Sequence, residues 1–436
     1  MSTAAEAAAP TDNKSANSTG RIVVASFVGT AIEFYDFYVY ATATALVFGH
    51  LFFPRESASA AQLLSFATFS IAFIARPLGS ALFGHFGDRI GRKTTLVASL
   101  MIMGVSTTLV GLLPTYETIG LVAPVVLCIL RFGQGIGLGG EWGGAALLAV
   151  ENAPPGKRAW FGMFPQLGAP VGFIAANGLF LVLAGMLDDE QFRAWGWRIP
   201  FIASAALLAV GLYVRLKLVE SPYFRQAMEN DRKQRVPLGT LLRLHLKDTV
   251  LGTLAMVACY AVFYLSTVFS LGFGTTRLGY SREEFLTMLL VAITFMALGI
   301  LISAWLSDKV GRKPVLLAGL VLTGLMGFLL EPMMGAGQPF EVTAFLSIAL
   351  LCMGLIFGPM GAVLSELFPT QVRYTGASVT YNMGGILGAS FAPLIALQLA
   401  EIGGLGYVGL YLTATAVLSF IAILLMRETR HEALGD

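Results

Sequence analysis

One charged turn occurs twice in this chain, each time between long apolar stretches. Asp88-Arg89-Ile90-Gly91-Arg92-Lys93 returns as Asp308-Lys309-Val310-Gly311-Arg312-Lys313. The echo continues downstream, where Glu151 and Arg158 in ENAPPGKR are matched in order and spacing by Glu366 and Arg373 in ELFPTQVR. An internal duplication of this length, threaded through apolar segments, points to a membrane protein with a central pathway between pseudo-symmetric halves.

Composition supports the membrane assignment. The chain is 56% hydrophobic and 12% charged, where a soluble domain carries about a quarter charged residues. Apolar stretches long enough to cross a bilayer fall at 22–47, 63–83, 94–113, 121–149, 160–185 and 199–218. A second set falls at 249–272, 285–306, 315–334, 342–365, 375–400 and 406–426. The fold expected is therefore all-α, with twelve transmembrane helices in two six-helix bundles spanning 21–218 and 249–426. A charged linker, 219–248, joins them. Residues 1–20 read as a polar, disordered tail with no signal-peptide core, and 427–436 as a second short tail.

Lys and Arg placement orients the chain. Arg55, Arg193, Arg198, Arg277 and Arg282 fall on one face and Arg76 and Arg131 fall inside spans, while all other Lys and Arg residues share the opposite face. That face is expected to be cytoplasmic and to hold both termini. The net charge of +2 follows from this bias and gives no argument for nucleic acid. Cys128, Cys259 and Cys352 read as small apolar residues within spans, and no His pair has metal-ligand spacing. No metal or cofactor is expected, and no Walker lysine or strand accompanies the glycines of 133–144, which suit close helix packing.

Ionisable residues inside a span are costly and are functional candidates by default. Glu33 and Asp36 share a face of the first span, Arg76 lies in the second, and Arg131, Gln134 and Glu141 lie in the fourth. Three acids against two guanidinium groups leave one excess negative charge, so one acid is expected to exchange a proton near working pH. Asp36 or Glu33 is the expected acceptor, with Arg131 and Glu141 modulating it. All five are expected to line one aqueous cleft. Arg76 and Arg131 suit carboxylate binding. Tyr35, Gln134, Gln166, Tyr260, Tyr264, Tyr381 and Asn382 are candidate substrate contacts, although helical-spaced aromatics equally suit packing. Gly168-Ala169-Pro170-Val171-Gly172 reads as a bendable segment of the fifth span.

The sequence from Gly84 to Lys93 resembles the signature between spans two and three of the major facilitator superfamily, and Arg131-Phe132-Gly133-Gln134-Gly135 resembles its fourth-span motif. Val219-Glu220-Ser221-Pro222 resembles an element of the superfamily's sugar-porter-like members. Glu33-Phe34-Tyr35-Asp36-Phe37, Arg76-Pro77-Leu78-Gly79 and Gly139-Gly140-Glu141-Trp142-Gly143-Gly144 resemble the metabolite:proton symporter family. The similarity runs from about Arg21 to Arg430. The second turn departs from the pattern at Ala304, Ser307 and Lys309, which suggests that the first-half gate is the stricter one.

The resemblance implies the major facilitator fold and a gating latch. Asp88, with Arg89 beside it, would face the start of span eleven near Thr375. Arg92 would pair with Glu151 and Arg312 with Glu366. Asp308 would repeat the role of Asp88, and Arg158 and Arg373 would complete the two clusters. The function implied is a monomeric, bacterial-type inner-membrane symporter that imports a small polar metabolite with protons. An organic carboxylate such as a shikimate-like or dicarboxylic acid is favoured. A zwitterionic osmolyte of the proline or betaine type, proton-driven export, and a non-transporting membrane sensor are the alternatives. It would not be an enzyme.

Overall fold

The computed structural model describes residues 19–90, 92–217, 237–369 and 372–430, with the side chains of 84–96 outside that description. The expected linker and both tails therefore lie largely outside the described residues, as does the Val219–Pro222 element.

The described residues form twelve membrane-length helical passes arranged as two six-helix bundles. We number these α1 to α12. In the first bundle α1 is Thr19–Ala43, continued by a wide turn at Thr44–Phe48 and by Gly49–Phe52. There follow α2 (Ala58–Ile90), α3 (Arg92–Leu112), α4 (Val122–Leu138, then Glu141–Glu151), α5 (Arg158–Met186) and α6 (Ile199–Lys217). In the second, α7 is Leu246–Tyr264 with a wide turn at Leu265–Phe269 and a last segment Ser270–Thr276. Then come α8 (Arg282–Val310), α9 (Arg312–Met334) and α10 (Pro339–Glu366). The final 53-residue run, Arg373–Leu425, holds two passes: Gly403 and Gly404 leave helical geometry, Gly404 at φ 73°. We take α11 as 373–403 and α12 as 405–425.

Burial separates central helices from lipid-facing ones. In their most apolar windows, 94% of α7 is buried against 28% of α6, so α7 lies in the molecule's interior and α6 on its rim. Three passes carry a π-helical turn, α1 at 44–48, α7 at 265–269 and α11 at 386–390. Such turns cluster at functional sites, and the turns in α1 and α7 occupy matching places in the two halves.

The bundles meet where α5 packs on α8 and α10, and α2 on α11. Where α10 crosses α5, a Cβ on Gly361 would lie 2.7 Å from the Gly162 carbonyl oxygen. Only glycine permits that approach. Gly168 and Gly172 likewise abut α1 at Thr30, Ala31 and Tyr35, and α5 runs as one unbroken helix through Pro165 and Pro170. The glycines expected to bend α5 are thus packing contacts within the first bundle.

Candidate functional site

The five intramembrane charges are enclosed. Glu33, Asp36, Arg76, Arg131 and Glu141 are all between 0% and 5% exposed. The cavity in the adjoining seam, lined by Tyr38, Thr42, Phe173, Asn177 and Thr267 among others, measures only about 10 Å³. The expected aqueous cleft is therefore closed in this conformation, because aromatic side chains from both halves fill it.

The two guanidinium groups sit on those aromatics. Arg76 and Arg131 each lie 4.6 Å from the Phe37 ring centre. Arg76 also covers Phe73, and Arg131 covers Tyr40 at 3.9 Å and Phe69 at 5.1 Å. Such stacking stabilises a desolvated cation but satisfies few of its N–H donors. Arg131 Nη1 donates to Gln134 Oε1 at 2.9 Å, whereas Arg131 Nε and Nη2 and Arg76 Nε meet no acceptor among the described residues.

No ion pair joins Asp36 to Arg131 among the described residues; Arg131 is held by Gln134 instead. Gln134 Nε2 donates to Thr107 Oγ1 at 2.7 Å. Thr107 donates in turn to the Met103 carbonyl at 2.9 Å, and the Asp36 carboxylate accepts from the Ser204 hydroxyl of α6. Thr107 and Ser204 were not singled out by sequence. Single hydroxyls within apolar spans are commonplace, and only tertiary contact distinguishes these two.

Other candidates scatter. Tyr260, Tyr264 and Tyr381 lie at the seam, with Tyr264 against Phe37, Phe69 and Phe73 and with Trp142 stacked on Tyr381 at 3.8 Å. Trp142 Nε1 donates to Gln166 Oε1 at 3.0 Å, and Gln166 Nε2 to the Phe357 carbonyl of the other half at 3.2 Å. Tyr35 corrects its expectation: its hydroxyl donates to the Pro200 carbonyl at 2.8 Å and ties α1 to α6, away from the seam. Two turn residues, Gly139 and Gly140, divide α4 between Leu138 and Glu141, both with right-handed helical dihedrals. The carbonyls at that break accept from the second half, Gly139 from Asn382 Nδ2 at 3.0 Å and Gly140 from the Tyr374 hydroxyl.

On the face of the basic loops the second-half latch is fully assembled. Arg312 grips Glu366 with Nε at 3.1 Å and Nη2 at 2.9 Å, while its Nη1 donates to Asp308 at 2.8 Å. Asp308 also accepts the backbone N–H groups of Ala159 (3.0 Å) and Trp160 (2.9 Å). Those groups open α5, whose N-cap residue Lys157 supplies no side-chain cap. An acid from one half thus caps a helix of the other, where exposed amides favour negative charge. The departures at Ala304, Ser307 and Lys309 leave this geometry intact, so nothing in it marks the second gate as the looser one.

Arg158 and Arg373 pair crosswise between halves. Arg158 reaches Glu366 at 3.6 Å, and Arg373 reaches Glu151 at 3.6 Å. The Arg92–Glu151 pairing and the contacts expected of Asp88 and Arg89 lie outside the described side chains.

Residues just past the last span complete the latch and were missed in the sequence. Thr429 donates to Glu366 Oε2 at 2.7 Å, and Glu428 accepts the backbone N–H groups of Arg312 and Lys313, each at 2.9 Å. Burial pushes the Glu428 carboxyl up. The backbone donors of Arg312, Lys313 and Arg430, with the Arg312 guanidinium, outweigh it and hold the group below its ordinary range.

On the opposite face a cavity of about 360 Å³ opens between the halves, lined by His50, Asp189, Arg193, Tyr280, Arg282 and Glu283 among others. An Arg282–Asp189 ion pair spans it.

Residues 22–241 match the family described as Sugar (and other) transporter, and residues 275–436 match the Major Facilitator Superfamily. The chain belongs to the major facilitator superfamily. It is 56% identical to the inner membrane metabolite transport protein YhjE of Escherichia coli (strain K12) over 425 residues, 96% of each chain. It is 37% identical to the shikimate transporter of the same organism, covering 94% of this chain and 95% of that one. Among solved structures, a proton:xylose symporter, XylE, matches with a TM-score of 0.76 at 18% identity, covering 95% of this chain and 97% of that one. That likeness fixes the fold. The molecule is a multi-pass membrane transporter rather than an enzyme.

Proposed function

We propose that the chain is a proton-coupled symporter that imports a small organic carboxylate by alternating access, with its basic face and both termini in the cytoplasm. The observation that carries the substrate class is the donor set of Arg76 and Arg131, three of whose buried guanidinium nitrogens meet no acceptor among the described residues. Buried donors without partners cost about 1–3 kcal/mol each, and a carboxylate entering between the two side chains would satisfy them in bidentate fashion. Similarity to a shikimate transporter agrees with this chemistry.

Asp36 is the proposed proton acceptor, with Glu33 one helical turn away and Arg131 enclosed in the same bundle. Neutralising a buried carboxylate would change the field at the substrate anchor. Proton and substrate would then share one electrostatic site. The proton is the only coupling agent this reading requires, and a monomer suffices, since both halves of the pathway lie in one chain.

A second reading has its own support. The seam is lined by Phe37, Phe69, Phe73, Tyr260 and Tyr264, and aromatic faces also hold quaternary ammonium groups. The two are separated by uptake into proteoliposomes under an inward proton gradient. Accumulation of shikimate or a dicarboxylate, with about tenfold or greater loss in Arg131→Lys because a fork is replaced by a point charge, supports the carboxylate. Accumulation of betaine alone, indifferent to Arg131→Lys, would reject it.

A further inference from the structure

The vestibule on the face away from the basic loops holds an arginine with an easily displaced partner. Arg282 opens α8 in the second half, and its guanidinium lies 4.1 Å from the ring centre of Phe192. Phe192 is fully buried in the short helix Asp189–Ala194, which follows α5 in the first half. Stacking fixes the plane of the guanidinium and leaves its in-plane N–H donors to other partners. Among the described residues the group makes one hydrogen bond, from Nη2 to Asp189 Oδ1. Burial divides the two side chains, with 16% of Arg282 exposed against 77% of Asp189. An ion pair with so exposed a member is weak.

We propose that Arg282 is a capture site for the substrate's carboxylate at the mouth of the pathway, with Asp189 as its exchangeable counter-ion. This rests on the reading of the chain as a carboxylate importer. A carboxylate entering the vestibule meets a cation held flat on an aromatic ring, and it takes two N–H donors where Asp189 takes one. Once displaced, the Asp189 carboxylate turns into solvent, where most of its surface already lies. Asp189 belongs to the first half and Arg282 to the second, so the exchange also releases an ion pair that spans the vestibule. Arrival of substrate and parting of the halves on this face become one event.

The rest of the wall suits such a ligand. The cavity, about 360 Å³, falls within the range of small-molecule sites, about 300–1,000 Å³. Arg193 adds a second cation to the lining, and His50 faces the cavity from the end of α1. Glu283, the other acid of the wall, places its carboxylate over Gly185 of α5.

The test is the initial rate of shikimate and succinate uptake into proteoliposomes holding the full-length chain, measured against external concentration under an inward proton gradient. Arg282→Gln removes the capture group and should raise KM about tenfold. Asp189→Asn removes the competing carboxylate and should lower KM about two- to fivefold. Arg282→Lys keeps the charge without the fork, and its KM should fall between those of Arg282→Gln and the unsubstituted chain. Loss of folded protein lowers the maximal rate without moving KM, so KM is the deciding quantity. Were the pair only a tie between the halves, either substitution would free this face, and KM would move the same way in both. That result, or any pattern other than opposite shifts in Arg282→Gln and Asp189→Asn, overturns the capture site while uptake of either acid keeps the carboxylate reading standing. If the unsubstituted chain accumulates neither acid, the reading and the capture site fall together.

Discussion

At the scale of single residues, burial decides which charges matter most. Glu366 is fully enclosed and accepts three hydrogen bonds from Arg312 and Thr429, with Arg158 beyond them, whereas the Glu151 side chain is 44% exposed and faces Arg373 at 3.6 Å. Removing one partner of a buried pair strands the other and costs about 3–5 kcal/mol, while an exposed pair is worth about 0–1 kcal/mol. Glu366→Gln is therefore expected to lower the thermal midpoint of the purified protein by several degrees, and Glu151→Gln to leave it nearly unchanged. Equal shifts would show that burial does not set the ranking. Glu428 gives a pH expectation. Its carboxyl is held below the ordinary range, so its stabilising contribution is complete above the unfolded-state value of about 4.3 and is lost only as pH falls through the depressed one. Uptake profiles of Glu428→Gln and the unsubstituted chain should share a midpoint between pH 5 and 8, whatever their rates.

The residue scale is also where the sequence was least legible. A helical wheel places Tyr35 beside Asp36 but cannot say which neighbour takes its hydroxyl, and that neighbour is Pro200. The crosswise pairing of Arg158 and Arg373 could not be read from spacing either, since both latch carboxylates recur at the same interval. Asp308 fared better. A helix N-terminus from the other half suits an acid within a basic turn, and that of α5 meets Asp308.

At the scale of elements, apolar length located all twelve passes, because the bilayer requirement is nearly independent of detail. Local irregularity was invisible to it. The break at Gly139-Gly140, the three π-helical turns and the Gly403-Gly404 boundary depend on which carbonyls find partners across the bundle, and hydropathy does not encode that. The α5–α10 crossing yields an element-scale prediction. Leucine at Gly361 would collide with the Gly162 carbonyl and should favour separation of the halves on the basic face. Spin-label distances across that face should lengthen in Gly361→Leu, with stability lowered by about 1–3 kcal/mol, as overpacking costs. Unchanged distances would mean that this contact does not gate.

At the scale of the whole molecule, the structure is closed at its centre and latched on the basic face, with a vestibule of about 360 Å³ on the other. Opening the basic face must break the Asp308 cap, the crosswise arginine pairs and the Asn382 and Tyr374 bonds to the α4 break. Opening the other must part Arg282 from Asp189. The Arg312–Glu366 pair of the latch is the more buried of the two. In the proposed mechanism the enclosed carboxylates of α1 couple protons to substrate movement. Its most direct measurement is gradient-driven uptake against substrate counterflow in proteoliposomes, for Asp36→Asn and Glu33→Gln. At least one variant should keep counterflow while losing accumulation and its pH dependence; accumulation with the unsubstituted pH profile in both would rule out coupling through α1.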